Sequence, residues 1–211
     1  MKKTMFLLLL VIFLSLIISV IAHQPRIVNS DGTNIIEPEI SKAYYSNLDR
    51  EPHYYYLNSD QEFNVYINVL IPGTELTHKV SAELSRNNEI IYFLDGENHD
   101  WEFFYEEFGK DYYLKGPEIG EDFKSTEMLP AGNYVIKVFN SNNEGKYVLA
   151  VGDIEKFPLS EILSAAVTVP YLKISFFGKY YLLLVIFLVI LMFIGIIYWI
   201  KVKRKKIKWL V

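Results

Sequence analysis

Two uninterrupted apolar runs bracket this chain, and between them apolar and polar residues alternate. Met5 to Ala22 and Tyr180 to Ile200 carry no charge. The second run, YYLLLVIFLVILMFIGIIYWI, has 21 residues. As a helix it rises about 31 Å at roughly 1.5 Å per residue, which matches a hydrocarbon core about 30 Å thick. Phe176, Phe177, Tyr180 and Tyr181 stand before it, and Tyr198 and Trp199 close it. Such rings favour the headgroup level on either side of a span. Lys201, Lys203, Arg204, Lys205, Lys206 and Lys208 follow at once, a signal that holds this end in the cytoplasm. The first run has Lys2 and Lys3 before it and Val20 and Ala22 before His23. That is the pattern of a signal peptide cleaved after Ala22, with an uncleaved anchor as the alternative. Both readings place the segment between the runs outside the cell membrane.

Within that segment the period is close to two. Phe63, Val65, Ile67, Val69 and Ile71 share one face of an expected half-buried strand, which Pro72-Gly73 ends. Tyr54 to Leu57 leads into the turn residues Asn58-Ser59-Asp60. His78 to Leu84 and Glu89 to Leu94 predict a hairpin around Arg86-Asn87-Asn88. Tyr134 to Phe139 and Tyr147 to Val151 predict another, around the Asn-rich stretch from Asn140 to Gly145. His23 to Ser46 reads as an extended polar arm. Six or so short strands with turns between them predict an antiparallel β-sandwich. Ser160 is the expected cap of a short helix over Glu161 to Val167, which Pro170 ends or kinks. The organisation expected is a signal segment at 1–22, an extracytoplasmic sandwich at 23–156, a juxtamembrane amphipathic helix or linker at 157–178, a transmembrane helix at 179–200 and a basic cytoplasmic tail at 201–211.

Charge sharpens this layout. All 25 acidic residues lie between Asp31 and Glu161, and the stretch 23–172 holds 11 basic residues, so its net charge is 11 − 25 = −14. A domain this acidic repels phosphate backbones and argues against a nucleic-acid partner. The chain has no Cys, so its stability outside the membrane does not come from disulfides. No Asn-x-Ser/Thr sequon occurs, and both absences suit a prokaryotic surface.

The run from Leu129 through Pro130-Ala131-Gly132-Asn133-Tyr134 to Phe139, with Gly145 to Gly152 after it, resembles the last hairpin of bacterial pre-peptidase C-terminal domains and related jelly-roll modules. Tyr54 to Ile71 is similar to their earlier strands, so the resemblance covers about half of the external segment. It implies a β-sandwich accessory or binding module without a catalytic centre. The aromatic segment described next departs from the family's pattern.

Three groups of residues are candidates for chemistry. After cleavage at Ala22, His23 would offer an α-amine and an imidazole to Cu(II), with His53, His78 or His99 as the second imidazole. Copper-resistance proteins of the CopC type and lytic polysaccharide monooxygenases are similar in beginning with His on a β-sandwich. Pro25 departs from that context, and a histidine left incidentally by cleavage is the simpler account. Second, Asp95 to Tyr113 holds seven aromatics in 19 residues. Trp101, Phe104, Tyr105, Tyr112 and Tyr113 can stack on sugar rings or grip a peptide, or else fill one end of the sandwich. Third, Asp95, Glu97 and Asp100 offer carboxylates to calcium. Their spacing is not that of a calcium loop and suits an acidic turn better. Nothing nominates a catalytic centre: there is no Cys, Gly-x-Ser-x-Gly or His-Glu-x-x-His. The expectation is a membrane-anchored module that binds another membrane or cell-surface protein without catalysis. The rivals are copper binding through His23 and carbohydrate binding through residues 101–113.

Overall fold

The computed structural model of the chain describes residues 23–208 except positions 30, 31, 76 and 108, with side chains as far as Trp199. The expected signal segment and the last residues of the basic tail lie outside the described residues. By contact density the chain divides into two compact units, Met1–Val169 and Pro170–Val211.

The first unit is a β-sandwich. Its larger sheet has the spatial order β1 (Gln24–Ile27), β3 (Lys42–Asp49), β13 (Glu144–Val151), β6 (Ile67–Pro72), β10 (Asp111–Ile119), β9 (Glu102–Glu106). The smaller runs β2 (Thr33–Ile35), β4 (His53–Ser59), β12 (Gly132–Phe139), β7 (Ser81–Arg86), β8 (Glu89–Leu94). A third pair, β5 (Phe63–Val65) with β11 (Glu127–Leu129), completes the thirteen strands among the described residues. One apolar core joins both sheets, with Leu48, Tyr55, Leu57, Val69, Leu84, Ile136 and Leu149 all fully buried in it. Each large aliphatic side chain so placed contributes on the order of 1.5–3 kcal/mol.

The expected strand alternation holds where one face is core. Phe63, Val65, Ile67, Val69 and Ile71 all point into the core cluster. The strand breaks at Tyr66 into β5 and β6, and β6 is buried on its other face too, through Asn68 and Leu70. The β7–β8 hairpin also forms as expected. Arg86 pairs with Glu89, and the two residues between them, Asn87 and Asn88, take φ of 51° and 65°. Asn tolerates that left-handed backbone, which matches the twist of a two-residue hairpin turn.

Three expectations are corrected. The stretch 23–46 is not a loose arm. It supplies β1 and β2, which pair parallel with β3 and β4, so the sheets are mixed rather than wholly antiparallel. Val28 and Ile35 are anchored in the core, and the Ser46 hydroxyl donates to the Val28 carbonyl. Second, β12 and β13 form no hairpin. β12 lies between β4 and β7 in one sheet and β13 between β3 and β6 in the other, so residues 140–143 cross the sandwich. Third, the segment 102–119, for which no strands were expected, forms the strand pair β9–β10.

The Pro130-Ala131-Gly132-Asn133-Tyr134 motif is a tyrosine corner. The buried Tyr134 donates its phenol proton to the Pro130 carbonyl at 2.6 Å, and Phe63 meets its ring edge-on at 5.6 Å. Arg86 lies over the same ring, 5.4 Å from its centre, and donates to the Ala131 carbonyl.

Helix α1 (Leu159–Ser175) opens on Pro158, whose carbonyl accepts from the amides of Glu161 and Ile162. Ser160 therefore sits in the first turn rather than at the cap, and Pro170 is accommodated within the helix. Helix α2 (Tyr181–Lys208) contains 19 residues, Tyr181–Trp199, of mean hydropathy 3.0 with none of that stretch buried. It is long and apolar enough to cross a membrane.

Candidate functional site

The aromatic segment builds an exposed sheet edge from an ordered base. The base is the loop 95–101. Asp95 accepts from the amides of Glu97 and Asn98 at 3.0 and 3.2 Å and from the Asn98 side chain at 2.7 Å. Those hydrogen bonds hold the Asp95 carboxyl below its ordinary range. Gly96 fits against the Val80 carbonyl, where a Cβ would lie 1.9 Å from the oxygen. Trp101 then donates from its indole nitrogen to the Gly96 carbonyl at 2.7 Å and packs on the core. Its ring covers Gly116 in the bulge of β10, and Asn68 donates to the Gly116 and Pro117 carbonyls from the other side. Proline cannot donate to a ladder, and a bulge is where a strand tolerates it.

From this base β9 and β10 run as a short ladder. Phe103 pairs with Leu114, Phe104 with Tyr113 and Tyr105 with Tyr112. Alternation sends the pairs to opposite faces. Tyr113 and Phe104 turn to the outer face of the large sheet. Tyr113 is buried and shares a 2.9 Å hydrogen bond with the Tyr45 hydroxyl, and burial pushes both phenols well up. Phe104 packs on Phe123 at 4.8 Å, and Lys115 lies 4.5 Å from the Phe123 ring centre. The other face is open. Phe103, Tyr105 and Tyr112 are 69%, 43% and 62% exposed, and the rings of Tyr105 and Tyr112 stand 4.8 Å apart. On its far side β9 has no neighbouring strand among the described residues, so it forms the edge of its sheet. The expected aromatic set thus divides. Tyr105 and Tyr112 are open to a ligand, Trp101, Phe104 and Tyr113 are packed, and Phe103 joins the open group, which its neighbours in sequence did not single out.

The metal candidates are scattered. His23 precedes β1, its Nδ1 hydrogen-bonded to the Ser41 hydroxyl. Desolvation, helped by Lys124 and opposed by Asp153, lowers its pKa from 6.5 to about 4. His53 opens β4 at the opposite end of the strands, where its Nδ1 meets the Tyr147 hydroxyl at 2.8 Å and the Ser46 hydroxyl at 3.1 Å. Tyr147 in turn bonds Tyr55 at 2.8 Å. His78 lies against Gly145, and His99 stands edge-on to Trp101 at 6.3 Å. Among the described residues no three His, Asp or Glu side chains converge on a point that could hold an ion. Glu97 and Asp100 are exposed beside the Asp95 turn.

A concavity of about 500 Å³ opens beside β1 and β2. Its charges are bonded within the protein. Arg26 grips Glu161 with two bonds of 2.9 and 3.0 Å, Lys156 meets Glu37 at 3.1 Å, and Lys42 donates to the carbonyls of Ile36 and Glu37. Burial lowers the Lys42 pKa. The cleft therefore ties the start of α1 to β1 rather than presenting free charge.

No protein-family model matches the chain, and no curated protein does. Among solved structures it is similar to the pre-peptidase C-terminal domain of a collagenase from Bacillus anthracis, with a TM-score of 0.33 and 8% identity over 64% of this chain and 98% of that one.

Proposed function

We propose that the chain is a membrane-anchored, non-catalytic binding module. Helix α2 holds it in the cell membrane with the sandwich outside, and the β9–β10 edge receives a partner protein. The basic residues after Trp199 and the acidic stretch before Ile162 support this orientation. The observation that carries the binding site is the exposure of Phe103, Tyr105 and Tyr112 on a strand with a free edge. Large rings in one face supply contact area at little cost in side-chain entropy, and a free edge accepts an extended segment by strand addition. Glu102, Glu106 and Glu107 flank the rings on a domain of net charge −14, so the favoured partner segment is basic.

A photo-crosslinking residue tests this in native membranes. Placed at Tyr112 of the full chain, it is expected to give a crosslinked species of one defined mass. Phe103→Ala should reduce that species several-fold. Placed at Tyr56, exposed on the other sheet, it should not give it. The same products from both positions, or none from Tyr112, would remove the edge as the site.

A further inference from the structure

Outside the β9–β10 edge, helix α1 carries a second exposed apolar surface. Leu159, Leu163 and Val167 recur every four residues and are 71%, 59% and 74% exposed, so they form one apolar stripe along a single face of the helix. The opposite side is occupied: Ala165 is buried, and Glu161 is held by Arg26. From Ile162 to Leu172 the helix carries no charge at all. A helix apolar on its free face as well as its packed one is not finished by water.

We infer that the lipid bilayer surface covers this stripe, with α1 lying at the level of the headgroups. Two further features select lipid over a protein occupant. Only 13 residues separate Val167 from Tyr181, the first residue of the apolar span, and they include the exposed Tyr171 and Tyr180. Rings of this kind partition to the membrane interface. In addition, Glu161 is the last acidic residue in the chain. Everything after it is neutral or basic, so no carboxylate stands between the stripe and the apolar span. The stripe is thus continuous in sequence and in charge with the segment that enters lipid. Because Arg26 fixes the first turn of α1 to β1, docking the stripe also fixes how the sandwich is held at the surface. The inference rests on α2 spanning the membrane.

The absence of cysteine makes a clean test possible. Leu163→Cys, Val167→Cys, Phe187→Cys and Asn133→Cys are each introduced into the full chain, labelled with an environment-sensitive dye and reconstituted in phosphatidylcholine–phosphatidylglycerol vesicles. Lipids carry a nitroxide quencher either near the headgroup or deep in the acyl chain. Dyes at 163 and 167 should lose most of their emission to the shallow nitroxide and little to the deep one. The dye at 187 should show the reverse, and the dye at 133 should respond to neither. Quenching at 187 but not at 163 or 167 would overturn the inference and leave the span intact. Dyes at 163 and 167 shielded from both nitroxides, with a shield lost on dilution of the protein in lipid, would assign the stripe to a second copy and equally overturn it. Absence of quenching at 187 would remove the membrane reading on which the inference stands.

Discussion

Gly116 shows how far a single residue determines the candidate site. A Cβ there would lie 2.5 Å from the Trp101 ring and 2.7 Å from the Val69 carbonyl, and the latter belongs to a central strand that cannot retreat. Gly116→Ala should therefore displace Trp101 and loosen the β10 bulge. The expected cost is on the order of 2–4 kcal/mol, in the range of overpacked cores and broken networks. It would be read as a fall in the unfolding midpoint of the full chain in detergent. A second effect at this scale is set by His23. Its pKa is lowered from 6.5 to about 4 in the folded chain, so the unfolded chain takes up the proton first as pH falls. The contribution of a neutral, shielded ring is complete above about pH 6.5 and is lost progressively towards pH 4. It amounts to at most about 3 kcal/mol. His23→Gln should flatten the stability profile between those pH values, and an unchanged slope would show that the ring stays solvated.

At the scale of elements, β7–β8 was readable because Asn87-Asn88 state their turn locally, and the core face of β5–β6 because a period of two needs no knowledge of the partner strand. β12 and β13 were misread for the same reason. An Asn-rich connection looks alike whether it folds a strand back beside its neighbour or carries it over to the other sheet, and only the pairing of β12 with β4 and β7 decides. The β9–β10 pair was hidden because its aromatics stand side by side, Phe103-Phe104-Tyr105 and Tyr112-Tyr113, and so show no period of two. Its rings could be listed from the sequence, yet not sorted into packed and open, since that depends on Phe123 and Tyr45, distant in the chain. The attachment of α1 to β1 was likewise unreadable, being one contact between residues 135 positions apart. Arg26→Ala should leave global stability within about 1 kcal/mol, as for a partly exposed ion pair. It should nevertheless speed amide exchange through residues 162–166. A swap to Arg26→Glu with Glu161→Arg should restore protection, and unchanged exchange in Arg26→Ala would show that α1 is held by its apolar contacts alone.

For the whole molecule, the described residues form a mixed sandwich of thirteen strands followed by two apolar helices, with negative charge gathered before Ile162 and positive charge after it. Under the proposed membrane anchoring, this separation is what would orient the chain, since loops rich in Lys and Arg are retained on the cytoplasmic side. The placing of the last two strands has a consequence for how such a chain is made. β12 and β13 are the final strands to be synthesised, and each takes a central position in its sheet. Until they arrive, β4 and β7 lack their shared neighbour, as do β3 and β6. Strand edges left waiting in this way invite wrong pairing. A nascent chain stopped at Phe139 should thus stay soluble only with a chaperone bound, whereas release past Val151 should let the two halves of the larger sheet close in one cooperative step.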